Sequence, residues 1–334
     1  AKHIAKPRKR FAPEEYANAI LAGDRVMLSR AITLIESKLP SDVELAEKVL
    51  EIILPHTGNS LRVGITGVPG VGKSTFIESF GKVVTGMNKK LAVLTIDPSS
   101  QRSKGSILGD KTRMESLAND PLAYIRPSAS GATLGGVNNK PRETMLLCEA
   151  AGYDVILIET VGVGQSETTV AEIADFFLLL MLAGAGDELQ GIKKGIMEMA
   201  DALVITKADG DNVTMSQLAA REYANAMRLF PPQESGWEPE VLTCSSVEQK
   251  GLEAIWEVIN RHHELMVKTG YFQAKRMEQN IAWMNEIIEY YLKYDFLHSP
   301  AVSEKLDFTQ HQVESGKLPA ITAAKTLLGL YRGK

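Results

Sequence analysis

Cysteine is nearly absent: the 334 residues hold two, Cys148 and Cys244, far apart and in apolar or strand-like surroundings. That scarcity argues against a disulfide framework and against a Cys-x-x-Cys metal site, and both thiols are expected to be reduced and buried in a cytoplasmic protein. Long apolar runs are also missing. No stretch approaches the roughly 18 residues that a membrane span needs, and no signal-peptide pattern opens the sequence, so no membrane is expected as a partner. An excess of positive charge is lacking too. The net charge of −4 gives no electrostatic reason to expect nucleic acid. The basic run from Lys2 to Arg10 is the local exception, an interaction tail or a solvated chain end. Internal repeats and low-complexity segments are absent. What is present is a hydrophobic share of 44%, enough for a substantial core, in a chain longer than the usual single core. One large domain with appendages, or two domains, is expected.

The most informative stretch is Gly67-Val68-Pro69-Gly70-Val71-Gly72-Lys73-Ser74, followed by Thr75, a glycine and four residues before Gly-Lys-Ser. Its glycines let backbone N–H groups curl around a polyphosphate, Lys73 reaches the terminal phosphates, and the Ser74 hydroxyl can ligate Mg²⁺. The context fits. Leu61 to Thr66 reads as a buried strand, and Ser74 to Val84 carries Phe76, Ile77, Phe80 and Val83 at helical spacing. Strand, loop and helix aim a positive helix end at phosphate.

Before this motif, residues from about Pro13 to His56 read as helices, with Pro13 opening the first, Asp24 capping the second, and Ser41 or Asp42 capping the third. From Leu61 strands alternate with helices. The strands are expected at Leu61–Thr66, Leu91–Ile96, Ala123–Arg126, Val155–Glu159, Phe176–Leu182, Leu203–Thr206 and Glu240–Cys244. Several are continuous apolar runs, as strands covered on both faces should be. The fold class is therefore α/β, a P-loop NTPase with a mainly parallel central sheet flanked by helices. After Thr269 the alternation stops and helices resume. The division is an N-terminal helical extension over 1–58, a P-loop domain over 59–268 and a C-terminal helical arm over 269–334.

Three further strand ends carry candidate chemistry. The strand Ala202 to Ile205 leads into Thr206-Lys207-Ala208-Asp209, similar to the Asn-Lys-x-Asp sequence that reads guanine. Asp209 would accept from the guanine N–H and amino groups, which adenine cannot offer, and the Lys207 stem would cover the base. Thr206 replaces the usual Asn and is expected to remove a bracing amide. One strand later, Ser245-Ser246-Val247 occupies the place of a second base contact. Upstream, the strand through Ile158 ends in Glu159-Thr160-Val161-Gly162, where many GTPases have Asp-x-x-Gly. The Gly162 N–H would meet the γ-phosphate, and Glu159 would hold Mg²⁺ through water or orient the attacking water. Asp97, in Asp97-Pro98-Ser99-Ser100, and Asp110 are metal or switch candidates by position. Turn chemistry is the alternative for Asp97 and a helix cap for Asp110, with the functional reading preferred for both and more strongly for Asp97. The glycine-bearing loops Ser128–Gly136 and Ala183–Lys194 read as rearranging or simply solvated segments. No catalytic arginine finger is evident, so intrinsic GTP hydrolysis to GDP is expected to be slow and partner-stimulated.

Taken together, GVPGVGKST, IDPSS, GDKTRM, IRPSASGATLGG, IETVGVGQSE, AGAGDELQGIKKGIME and TKAD, from Val63 to about Asp211, closely resemble the methylmalonyl-CoA mutase-associated GTPases. The resemblance extends over nearly the whole chain. It implies GTP/GDP and Mg²⁺ as ligands, a homodimer through the C-terminal helices, and methylmalonyl-CoA mutase as the partner whose adenosylcobalamin loading is gated and whose activity is protected. It also implies that Lys73, Asp97, Asp110 and Glu159 belong to the nucleotide and Mg²⁺ site, with Ser74 among the metal ligands. By the same resemblance, Asp187, Glu188, Lys193 and Lys194 lie in a third switch loop. Two other readings are a nickel or cobalt insertion GTPase, which needs Cys/His ligands, and a non-catalytic nucleotide-dependent scaffold. An older family label, a transport-system kinase, would need a phosphoacceptor-binding domain that no segment supplies.

Overall fold

The computed structural model describes residues 10–96, 114–126, 141–160, 166–184 and 194–333. The strands are β1 (Leu61–Gly67), β2 (Leu91–Ile96), β3 (Ala123–Arg126), β4 (Val155–Thr160), β5 (Phe176–Leu182), β6 (Ala202–Thr206) and β7 (Glu240–Thr243). They form one seven-stranded sheet of order β3-β2-β4-β1-β5-β6-β7. Every pairing is parallel. All seven C-terminal ends therefore emerge along one edge, with β1 between β4 and β5, where the strand order reverses direction. Apart from Val241 and Leu242 in the edge strand β7 and Leu182 at the end of β5, the apolar strand residues are buried, the reason their sequences read as continuous apolar runs.

The helices in chain order are α1 (Pro13–Leu21), α2 (Arg25–Ile35), α3 (Pro40–Ile53), α4 (Lys73–Gly86), α5 (Glu115–Ala118), α6 (Pro141–Ala150), α7 (Ser166–Ile173), α8 (Lys194–Met199), α9 (Val213–Met227), α10 (Leu252–Thr269), α11 (Tyr271–His298), α12 (Pro300–Glu314) and α13 (Ala320–Tyr331). On one face of the sheet, α4 packs over β1 and β2, and α10 lies against α4 through the Phe80 and Trp256 rings, 6.2 Å apart. On the other, α7 approaches so closely that a Cβ on Gly64 would fall 2.6 Å from Val170 Cγ1.

Polar side chains set the opposite, N-terminal edge. Asp154, Asp175 and Asp201 each stand one residue before a strand, β4, β5 and β6. Their carboxylates accept from the backbone N–H of Lys90 at 2.7 Å, Arg62 at 2.8 Å and Phe177 at 2.8 Å. Each aspartate N–H donates back to the carbonyl of the same residue. This reciprocal clasp pairs backbone groups at the sheet's lip and pins the register of neighbouring strands. Asp175 is also gripped by Arg276 on α11, with Nε 2.9 Å from Oδ1 and Nη2 2.6 Å from Oδ2. Beside it Arg62 Nε donates to Glu149 at 2.8 Å, so the buried charges of this edge are paired.

The N-terminal helices α1, α2 and α3 pack on one another and on α6. Asp24 caps α2 as expected, accepting from Val26 N at 2.8 Å and Met27 N at 3.0 Å. The third cap differs from expectation. Helix α3 begins at Pro40, and Asp42 is buried in its first turn, where it accepts from Arg10 Nε at 2.7 Å and Ser37 Oγ at 2.6 Å. The Arg10 hydrogen bond holds the Asp42 carboxyl below its ordinary pKa. Proline at the first position starts the helix without a side-chain cap, freeing the aspartate for the arginine. The rest of the basic run, Lys2 to Lys9, lies outside the described residues.

Two compact units divide within α11. The first holds the sheet and runs to Arg276, and the second comprises the chain from Met277 onward, where α12 and α13 pack together around Val302, Ala323 and Leu327. Both cysteines are free and buried, and burial pushes the Cys244 thiol up to about 12. Among the described residues, no helix is long and apolar enough to cross a membrane.

His262 on α10 titrates against the fold. It is 3% exposed, edge-on to Phe176 at 5.0 Å and Trp237 at 5.1 Å, with Nε2 3.8 Å from Asp201. Burial, only partly opposed by Asp201, lowers its pKa from 6.5 to about 4. Between these values the unfolded chain binds a proton that the folded chain refuses, so stability falls as pH drops. The expected loss is about 3 kcal/mol by pH 4, setting in below pH 6.5. Urea titrations from pH 7 to pH 4 should show it, and His262→Leu should flatten that part of the curve.

Candidate functional site

The sequence places Gly67 where β1 must release the chain, and packing explains the residue. A Cβ there would lie 2.5 Å from Leu180 O and 3.1 Å from Val71 Cγ1, so only glycine lets the loop leave flush against β5. Val71 N then donates to Val68 O at 3.2 Å, closing the turn. Val68 and Val71 point into the core, while Pro69 and Gly70 are exposed. The valines thus anchor the loop and contribute only backbone to its mouth. Gly72 sits at φ +89° as the N-cap of α4, a conformation favouring glycine, and its carbonyl accepts from Phe76 N at 2.8 Å. Phe76, Ile77 and Phe80 are fully buried and hold the helix against the sheet. The first amides of α4, from Lys73 to Thr75, lack intrahelical acceptors, and Gly72 has no side chain to cap them. A positive helix end is thereby presented at the C-terminal edge of the sheet. Lys73 Nζ donates to Gly67 O at 2.9 Å, folded back over the loop's own entrance.

The end of β6 is joined to this loop. Thr206, 2% exposed, donates from Oγ1 to Val71 O at 2.8 Å and lies 3.3 Å from Met181 O on β5. The brace expected to be lost with asparagine is therefore supplied by a hydroxyl, which reaches the loop carbonyl because β6 lies next to β5. Lys207 adopts φ +56°, and its Nζ donates to Gly70 O at 2.8 Å. Asn212 Nδ2 holds the Lys207 carbonyl at 2.7 Å, which helps to fix this left-handed residue. Asp209 accepts from Ser245 Oγ at 2.6 Å, and the same hydroxyl receives Glu248 N at 3.0 Å. Reciprocal bonds of 3.0 Å between Ser245 and Lys250 close that segment into a small turn. Ser246 O accepts from Ser79 on α4 at 3.0 Å. Val247 stands apart at 82% exposure and does not converge on the others.

On the other side of β1, Glu159 is the last residue but one of β4, 5% exposed, and pairs in register with Ile65 of β1 and Thr95 of β2. A carboxylate is thus set two residues' height below the phosphate-loop glycine, one strand over. Thr160, the next residue, shares a 3.0 Å hydroxyl contact with Thr66 on the opposite face. Asp97, Asp110, Gly162, Asp187, Glu188 and Lys193 lie outside the described residues, as does the side chain of Lys194. So do most of the two glycine-bearing loops. Sequence reasoning missed the ties made by Ser79 and Asn212; neither belongs to a motif, Ser79 being brought in by the packing of α4 and Asn212 by the short turn that precedes α9.

A family model described as "Methylmalonyl Co-A mutase-associated GTPase MeaB" matches residues 28–300. The Escherichia coli protein named GTPase ArgK is 48% identical over 267 residues, 80% of this chain and 81% of that one. A Mus musculus protein named methylmalonic aciduria type A homolog, mitochondrial, is 42% identical over 341 residues, 99% of this chain and 82% of its own. The crystal structure of an LAO/AO transport system kinase superposes with a TM-score of 0.76 at 37% identity, covering 96% of this chain and 97% of that one. The P-loop α/β fold expected from the strand pattern is the fold found.

Replacing Thr206 by valine keeps its shape and removes its donor. Chemical denaturation should show a loss of about 1–2 kcal/mol, the cost of leaving the buried Val71 carbonyl without its partner, and Thr206→Ser should recover most of it.

Proposed function

The chain belongs to the methylmalonyl-CoA mutase-associated GTPase family, and from that premise we propose that it hydrolyses GTP in the crevice at the ends of β1, β4 and β6 to control a cobalamin-dependent mutase. One observation supports this most directly. The loop Gly67–Ser74 is bonded through Thr206 and Lys207 to the segment that carries Asp209, so phosphate-binding and base-reading groups form one connected surface. The amides of Gly70 and of Gly72 to Thr75 would receive the β- and γ-phosphates. Lys73, released from the Gly67 carbonyl, would neutralise charge that builds up as the γ-phosphate departs. Asp209, already oriented by Ser245, would accept the two guanine donors. The Lys207 stem would lie along the base, and the backbone of Ser245, Ser246 and Val247 would border it.

The residues also suit Mg²⁺. A serine hydroxyl at the helix start and a buried carboxylate on the neighbouring strand are hard oxygen donors of the kind this ion takes, with water and phosphate filling the remaining positions. Ser74 would hold it directly and Glu159 directly or through water, with Asp97 and Asp110 assigned to the same shell on sequence grounds. Bound there, the ion supplies charge neutralisation to the phosphates. Glu159 would orient the attacking water if it does not ligate the ion.

Association with methylmalonyl-CoA mutase, gating of cofactor loading and protection of that enzyme are part of the same proposal. So are the division into extension, GTPase domain and arm at residues 58 and 268, and dimerisation through the arm. An apolar stripe on α11, with Met277 62%, Ile281 52%, Met284 53%, Ile288 47% and Tyr291 48% exposed at alternating four- and three-residue spacing, supports helix–helix association. The two buried free thiols suit a reducing, cytoplasmic setting.

Lys73→Ala should lower the GTP turnover number by on the order of 10²–10³ in a phosphate-release assay. Asp209→Asn should weaken GTP binding by about 10- to 100-fold in calorimetry while leaving folding intact. Wild-type protein that turns over ATP as fast as GTP, or an unaffected Lys73→Ala variant, would sink the enzymatic reading. Failure to co-elute with a methylmalonyl-CoA mutase in any nucleotide state would sink the partner.

A further inference from the structure

One buried hydroxyl in the sheet stands unpaired among the described residues. Thr95, the last residue but one of β2, is 5% exposed, and its Oγ1 has no hydrogen-bond partner among the described residues. Its location is specific. Thr95 pairs in register with Glu159 of β4, which pairs in turn with Ile65 of β1. Side chains of register partners in a parallel sheet share a face, so Thr95 and Glu159 lie side by side. That face is the one covered by α4. Leu91, which shares parity with Thr95 along β2, has its Cδ2 3.0 Å from where a Cβ on Gly81 of α4 would stand. The helix opens with Lys73 and Ser74. The opposite face offers a contrast, because there the hydroxyls of Thr66 and Thr160 satisfy each other at 3.0 Å.

A buried hydroxyl without a partner opposes folding, and valine would fill the same volume in the same strand without that penalty. A threonine at this point makes physical sense if its hydroxyl is used in another state of the molecule. We propose that Thr95 is a positioning residue for Glu159: in the Mg²⁺-nucleotide state its hydroxyl donates to the Glu159 carboxylate and fixes which oxygen faces the metal shell. Outer-shell hydrogen bonds of this kind orient carboxylates and tune affinity for the ion. The inference rests on the Mg²⁺-GTP reading of the site and adds to it a residue that lies in none of the nucleotide motifs.

The full-length protein with Thr95→Val tests it, using release of a fluorescent GDP analogue across a Mg²⁺ titration, alongside thermal unfolding without nucleotide. Wild-type release should slow as Mg²⁺ rises. In Thr95→Val the half-effective Mg²⁺ concentration should rise about tenfold, with release in EDTA unchanged and the nucleotide-free Tm equal or higher; Thr95→Ser should behave as wild type. A Mg²⁺ midpoint within about twofold of wild type would overturn the proposal. A lowered nucleotide-free Tm with an unchanged midpoint would also overturn it, assigning the hydroxyl to a permanently bound structural water. If wild-type release ignores Mg²⁺ altogether, the Mg²⁺-GTP reading itself falls and takes the proposal with it. Should the valine variant not fold, the pair Thr95→Ala and Thr95→Ser reads the same contrast, with loss expected for alanine only.

Discussion

The turn after β1 is the constraint on which this architecture hangs. It must leave the middle of an all-parallel sheet, reverse over the strand ends and start a helix, all in the space between β4 and β5. Gly67 makes that possible, because the Leu180 carbonyl occupies the place of any Cβ. Val68 and Val71 then plug the loop into the core, and Phe76, Ile77 and Phe80 fasten the helix behind it. The exposed part of the loop is Pro69 and Gly70, which offer little side chain. The anion affinity proposed for this point would follow from the geometry of an uncapped helix start rather than from any concentration of positive side chains.

Rigidity of the loop is shared with its neighbours. Thr206 and Lys207 reach it from β6, Ser79 carries the link on to Ser246, and Ser245 continues it to Asp209. A displacement of the loop is therefore felt at the segment assigned to the base, and the reverse also holds. At the opposite edge the aspartate clasps and the paired arginines Arg62 and Arg276 hold the strand starts. The sheet is thus fixed at its polar lip and in its core, which leaves the C-terminal edge as the place where charge and ligand can act without unsettling the fold.

Thr95 and Thr206 show two uses of the same side chain. Thr206 is satisfied twice over within the fold and serves as a strut. Thr95 has no hydrogen-bond partner among the described residues, beside a carboxylate, on the face where the phosphate-loop helix begins. A protein that places one hydroxyl at a cost to stability next to the carboxylate proposed for its site is trading stability for a state in which that hydroxyl is used.

Much of this was legible from the chain alone. The strand limits were readable because strands covered on both faces must be apolar throughout, and the phosphate loop because backbone curvature and helix polarity require its residue types at fixed spacing. The strand end that carries Lys207 and Asp209 was readable because a buried apolar run, Ala202 to Ile205, leads into it. Tertiary structure decided the rest. Asp42 turned from a helix cap into the partner of Arg10, since its burial depends on where Arg10 arrives. Thr206 turned from a weakness into a brace, since the distance from β6 to Val71 is set by strand order. Thr95 acquired meaning only when register placed it beside Glu159. Sequence determines what each residue can do through its local chemistry and period; which residues meet is determined by long-range pairing, which no local pattern records.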